Sequence, residues 1–228
     1  MTTPVHYQTK GFPPANIDWS ELKLDDAMGR WERYIHDDAP DKLVQLAVLH
    51  AEFEALHPFL DGNGRLGRML IPLVLWQNGL IHQPMFYLSA YLESHREEYY
   101  DRLLGISRDG DWTGWCAFFL KGIKSQADEN HQKAVDILGL YERLKPQVHS
   151  LTRSRYAIHA LDYVFDRPIF PSADFNKNSG IPNATARRLL PLLKEAGIVR
   201  VLQAGAGSRS PVLLFPELLN IAEGREVF

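Results

Sequence analysis

A chain of 228 residues, 45% apolar and 23% charged, suits one domain of moderate size or two small ones and excludes a disordered polymer. Its formal net charge of -3 excludes bulk attraction to nucleic acid, so any basic surface has to be local. Cys116 is the one cysteine, which excludes an intrachain disulfide and fits a reducing cytoplasm.

Residues 1–20 read as loop or edge strand, because Gly11-Phe12-Pro13-Pro14 cannot sit inside a helix or a central strand. They lack the basic-then-apolar pattern of a secretory leader. No stretch anywhere reaches the ~20 apolar residues of a membrane span. Helical patterning starts near Leu22. After Pro40, Asp41 can cap a helix whose Leu43, Leu46, Leu49, Phe53 and Leu56 share the spacing of one buried face. Pro58 ends it, with His57 at the break. A Gly-rich turn over Asp61–Gly64 leads into a second apolar helix, about Arg65–Trp76, which Asn78-Gly79 stops. The patterning predicts a further helix over roughly Leu88–Ile106. Another is expected from Asp111 toward Leu144, interrupted at Gly122 and Gly139 and closed by Pro146. From about Leu151 the order becomes helix, short turn, helix, helix. Two β-prone runs then follow, Ile198–Gln203 and Pro211–Phe215, the order of a winged helix-turn-helix module. The expected fold is mainly α: a loop or flap at 1–20, a helical core at 21–146, and a small winged domain at 147–228.

The chemistry concentrates in His57-Pro58-Phe59-Leu60-Asp61-Gly62-Asn63-Gly64-Arg65-Leu66-Gly67-Arg68. Gly62 and Gly64 let backbone N–H groups converge into an anion-binding nest. The nest opens a helix N-terminus, where free N–H groups favour phosphate. Arg65 and Arg68 are three apart, so both can face one side of that helix and present guanidinium forks to phosphates. Asp61 is a hard oxygen ligand of the kind Mg²⁺ uses. His57 is the one side chain in the segment of the type that can act as a general base by taking up a proton. Gly62, Gly64 and Gly67 also satisfy G-x-G-x-x-G, but a helix precedes them where a dinucleotide fold needs a strand. No G-x-x-x-x-G-K-S/T, no H-E-x-x-H and no cysteine-histidine metal spacing is present.

The segment resembles the signature of the Fic family, H-x-F-x-D/E-G-N-G-R-x-x-R, at every specified position: His57, Phe59, Asp61, Gly62, Asn63, Gly64, Arg65 and Arg68. The stretch from about Met28 to Leu144 resembles the helical Fic core, and the tail is similar to that of many bacterial Fic proteins. The resemblance implies a protein adenylyltransferase that moves AMP from ATP to a Ser, Thr or Tyr hydroxyl of a target protein. On it, His57 is the general base and Asp61 holds Mg²⁺ against the phosphates. Gly62, Asn63 and Gly64 form the anion hole, Asn63 donating from its side chain as well. Arg65 and Arg68 meet the outer phosphates, and Phe59 anchors the loop in the core. Tyr7–Phe12 resembles the end of the family's target-aligning flap. The family's inhibitory helix, S/T-x-x-x-E-G/N, is expected upstream of that flap and has no counterpart there in this sequence. One match lies at Ser125–Asn130, which makes Glu129 a candidate restraint on Arg68. The expectation favoured here is that no glutamate of the chain itself restrains Arg68.

The tail carries a separate expectation. Asn183 would cap a recognition helix reaching Ala196, on which Arg187 and Arg188 could contact DNA phosphates. Docking of a protein partner or a homodimer is the alternative use of such a module. Two further functions remain open: a DNA-binding regulator with a secondary Fic core, and Fic-type transfer of another nucleotide or removal of AMP.

Overall fold

The computed structural model describes residues 24–207 and 209–228. The Tyr7–Phe12 stretch lies outside them. The chain divides into two compact units, residues 1–128 and 129–228.

In the first unit, α1 (Leu24–His36), α2 (Lys42–Leu56) and α3 (Asn63–Gln77) are followed by α4 (Ser89–Ser94) and α5 (Arg96–Asp109). The unit closes with the opening part of α6 (Trp112–Thr152). Asp41 caps α2 as its spacing predicts, accepting the N–H groups of Leu43 and Val44 at 2.9 and 3.1 Å. The single buried face expected for α2 is too modest. Every residue from Gln45 to Phe53 is buried, because α2 is the central helix and its neighbours surround it. Trp31 of α1 and Trp115 of α6 each donate their indole N–H to α2 carbonyls, at Leu49 (2.9 Å) and Ala47 (2.8 Å). These bonds satisfy the polar end of two buried aromatic rings. Phe53, Ile71, Leu75, Phe118 and Phe119 fill the rest of the core.

The helix expected over Leu88–Ile106 is two helices. The backbone departs from helical geometry at His95 (φ -116°, ψ 34°). Ser94 Oγ donates to the Tyr91 carbonyl there, a local side-chain bond that competes with helix continuation. The reverse holds for α6, which runs 41 residues without interruption and contains Pro146. Gly122 is no break: a Cβ there would meet Tyr91 Cδ1 at 2.6 Å, so the glycine admits the α4 ring against α6. Pro146 removes one helix hydrogen bond. Leu140, Leu144 and Val148, four apart and all buried, keep the helix continuous by packing on one face.

In the second unit, the later part of α6 is followed by α7 (Ala157–Asp166), β1 (Ile169–Pro171), α8 (Ser172–Asn178) and α9 (Asn183–Glu195). Then come β2 (Arg200–Gln203), β3 (Val212–Leu214) and α10 (Pro216–Glu223). The strands form an antiparallel sheet in the order β1-β3-β2. β1 is absent from the sequence-based expectation. It is a short edge strand next to Pro168 and ending in Pro171, which edge strands tolerate. Asn183 is the first helical residue of α9 rather than its cap; Pro182 holds the cap position and no side chain bonds the helix start. Leu161, Val164, Phe170, Phe175, Leu189, Leu193 and Phe215 make this unit's own core.

Candidate functional site

α2 ends in a left-handed residue. His57 has φ 45° and ψ 55°, and its N–H closes on the Phe53 carbonyl at 3.1 Å. Pro58 follows, and a residue before proline is steered away from right-handed helix. The turn therefore leaves the His57 side chain exposed at the end of the central helix. The loop then returns to α3 through Gly62, whose φ of 83° is the conformation that a side chain disfavours.

Asn63 holds this loop shut. It is 2% exposed. Its Oδ1 accepts the Phe59 N–H at 2.9 Å and its Nδ2 donates to the Phe59 carbonyl at 2.6 Å. One amide proton of Asn63 is thus committed inside the loop and the other remains. The anchor at Phe59 is its backbone: the residue is 49% exposed, not a core residue as expected.

α3 starts without a side-chain cap. Its first N–H groups have no carbonyl within the helix to bond, so they present partial positive charge at the loop. Asp61 now faces that charge. Its Oδ1 accepts the Gly62 N–H at 2.7 Å, and its Oδ2 lies 3.5 Å from Arg65 Nη2. Both partners of this ion pair are exposed, at 75% and 94% of their side chains, so solvent screens it and it separates at little cost. Arg68 is half-buried and joins no ion pair within 4.0 Å among the described residues. Thus Gly62, Asn63, Gly64, Arg65 and Arg68 gather around one helix start, with Asp61 in the same loop and His57 at the end of the helix that precedes it.

Beneath the loop lies a set of groups that the sequence reading passed over. His50 is fully buried in α2, its Nδ1 3.3 Å from the Gly67 carbonyl and its Nε2 3.1 Å from the Tyr99 hydroxyl. Its ring stacks on Trp115, 6.1 Å between centroids and 5° between planes. Burial lowers its pKa to about 4, so the imidazole is neutral at physiological pH. Burial also pushes the Tyr99 phenol up. Glu54 is half-buried and its Oε1 has no hydrogen-bond partner. Burial raises its pKa, while Arg68, His57 and Tyr99 act in the opposite direction. The available signal was spacing: Glu54 and His50 precede His57 by three and seven, positions that share a helix face.

A metal at this loop would find Asp61 and little else from the protein. Among the described residues, no group of three or more His, Cys, Asp and Glu side chains is assembled for an ion. That donor set suits Mg²⁺, which takes one or two carboxylates with water and substrate phosphates. It does not suit a caged metal such as zinc.

The other candidate residues lie in the second unit. Arg187 and Arg188 are exposed on α9. Glu129 pairs with Lys133 at 2.8 Å, one turn along α6.

The Fic/DOC family profile matches residues 18–75. A "probable protein adenylyltransferase" of Aquifex aeolicus (strain VF5) is 39% identical over 57 residues, 25% of this chain and 18% of that protein. A "Fido domain-containing protein" of Dictyostelium discoideum is 59% identical over 32 residues, 14% of this chain and 22% of that protein. The aligned segments therefore span about a fifth of either relative. A crystal structure of a Fic family protein from Desulfovibrio desulfuricans G20 aligns over 84% of this chain and 55% of that one, with a TM-score of 0.47 and 19% identity. No described helix is long and apolar enough to cross a membrane.

Proposed function

We propose, from the premise that this chain carries a Fic/DOC family domain, that it is a protein adenylyltransferase. It transfers AMP from ATP to a hydroxyl side chain of another protein. The observation that carries this reading is the uncapped start of α3 behind Gly62, with Arg65 and Arg68 on that helix and His57 at the end of α2. Phosphate is the ligand class that such a start, with two guanidinium groups, is suited to bind.

In the proposed reaction, the target hydroxyl gives its proton to His57 as its oxygen attacks the α-phosphorus of ATP. A new P–O bond forms to the target, the bond to the β-phosphate oxygen breaks, and pyrophosphate departs. The left-handed turn at His57 holds the base at an exposed helix end, where a protein target has access. The N–H groups of Gly62, Asn63 and Gly64 receive the charge that develops on phosphate oxygens. For Gly62 this requires Asp61 Oδ1 to leave the N–H it now occupies. Arg65 and Arg68 take the β- and γ-phosphates. When bound at Asp61, Mg²⁺ would neutralise phosphate charge and favour departure of pyrophosphate. The clamp between Asn63 and Phe59 keeps the loop in one shape, so the rate comes mainly from positioning and fixed charge.

The test is incubation of the purified protein with ATP labelled in the α-phosphate and a cell lysate. Wild type is expected to label protein. His57→Ala should lower labelling by about 10² to 10⁴, the usual cost of removing a general base, with its thermal melt unchanged. Near-normal labelling by His57→Ala would overturn the assigned role.

The second unit supports a separate proposal, a winged helix that contacts nucleic acid. Its support is the exposure of Arg187 and Arg188 on α9, a helix carried by a small three-stranded sheet domain. Arginines on one helix contact backbone phosphates without reading bases.

A further inference from the structure

The first turns of α3 are shaped around a carboxylate. A Cβ at Gly67 would stand 2.7 Å from Glu54 Oε1, too close for any side chain unless Glu54 moved. A Cβ at Gly64 would stand 3.9 Å from both Glu54 oxygens and 3.3 Å from Arg68 Nη1. The carboxylate of α2 and the guanidinium of α3 thus approach the same point of backbone. Arg68 arrives there because helical side chains lean toward the N-terminus, which brings a residue over the one four positions earlier. Its charge therefore comes to rest over the opening turn of α3, where phosphate would bind.

Glu54 arrives with spare capacity. Its Oε1 is out of contact with solvent and accepts no hydrogen bond. Arg68 of α3 and His57 at the end of α2 act on the carboxylate through charge, and Tyr99 of α5 acts on it through a hydrogen bond. Arg68 is the one always charged, and it joins no ion pair within 4.0 Å among the described residues. A carboxylate near a guanidinium favours the side-chain orientations that point toward it. At low local dielectric that preference exceeds what the same charges exert in water.

We infer that Glu54 is a positioning residue for Arg68, aiming its guanidinium at the outer phosphates of the nucleotide. This rests on the nucleotide reading above. Glu54 itself touches neither the nucleotide nor the target hydroxyl. The space left by Gly67 is what allows a carboxylate to reach that position from below the loop.

The experiment is a double-mutant cycle on the full chain, with ATP and AMP affinities measured by calorimetry for wild type, Glu54→Gln, Arg68→Ala and the double variant. Glu54→Gln keeps the shape and removes the charge. It is expected to weaken ATP by about fivefold to tenfold while leaving AMP unchanged, since AMP lacks the phosphates that Arg68 would meet. In the Arg68→Ala background the same change should have no further effect, the coupling expected of residues that act as one unit. Losses that multiply independently would overturn the inference. So would an ATP affinity that stays level or rises in Glu54→Gln, which would make the carboxylate a competitor of phosphate. If wild type shows no preference for ATP over AMP, or keeps it in Arg68→Ala, the nucleotide placement itself fails and the inference falls with it. Glu54→Asp, which keeps the charge on a shorter stem, should recover part of the ATP preference; no recovery would count against charge as the cause.

Discussion

Asn63 illustrates what a single side chain does in the loop between α2 and α3. Its amide meets both the N–H and the carbonyl of Phe59, so one residue satisfies two backbone groups of a tight turn. Asn63→Ala would leave both without those partners, at a cost of about 1 to 3 kcal/mol if they stay buried. The thermal midpoint should fall accordingly. The loop should also lose its single shape, with ATP affinity lowered beyond what stability explains. An Asn63→Ala protein with unchanged melting and affinity would show that the clamp contributes nothing. Asp61 behaves differently in the same loop. Its carboxylate is exposed and holds only Gly62 N–H and a screened contact to Arg65. It is free to turn toward another partner, which suits a ligand more than a structural tie.

At the scale of elements, α6 separates two meanings of a glycine in a helix. The added Cβ at Gly122 would press into the Tyr91 ring at 2.6 and 2.7 Å, whereas the same atom at Gly139 meets nothing within 4 Å. Gly122→Ala is therefore expected to lower stability by about 1 to 3 kcal/mol through overpacking, despite alanine's better helix propensity. Gly139→Ala should raise stability by up to about 1 kcal/mol, the propensity term alone. Thermal denaturation of the two variants gives the comparison, and shifts of the same sign would contradict this account. α2 and α3 depend on each other in a related way. His50 reaches the Gly67 carbonyl, and Glu54 fills the room below Gly67. The loop between α2 and α3 is thus attached to the buried core through the helix that precedes it.

At the scale of the whole molecule, two cores form separately, one around Phe53, Ile71 and Trp115, the other around Leu161, Phe175 and Leu193. On the proposed nucleic-acid role for the second unit, Arg187→Ala combined with Arg188→Ala should weaken duplex DNA binding without altering labelling of protein targets. Affinity should also fall steeply with salt, because phosphate contacts release counterions, and the slope should drop by about one to two in the double variant. Absence of binding to any duplex at low salt would remove this role and leave protein docking as the use of that surface.

Much of the loop between α2 and α3 was legible in the sequence, because its parts are local. A helix stop before proline, a glycine turn and a helix start with two arginines three apart are set by backbone sterics and short-range geometry. Those forces act within about a dozen residues. The mainly α architecture was legible for the same reason, since apolar spacing reports helices directly. Tertiary structure alone decided the rest. α2 became a central helix buried on every side from Gln45 to Phe53, α6 ran through Gly122 and Pro146, and Ile169–Pro171 became an edge strand only by pairing with Val212–Leu214. Tertiary packing likewise brought Glu54 of α2, Arg68 of α3 and Tyr99 of α5 to one place. Residue types at 54 and 99 look ordinary in sequence. What makes them consequential is burial beside a charge, which exists only once α2, α3 and α5 are packed together.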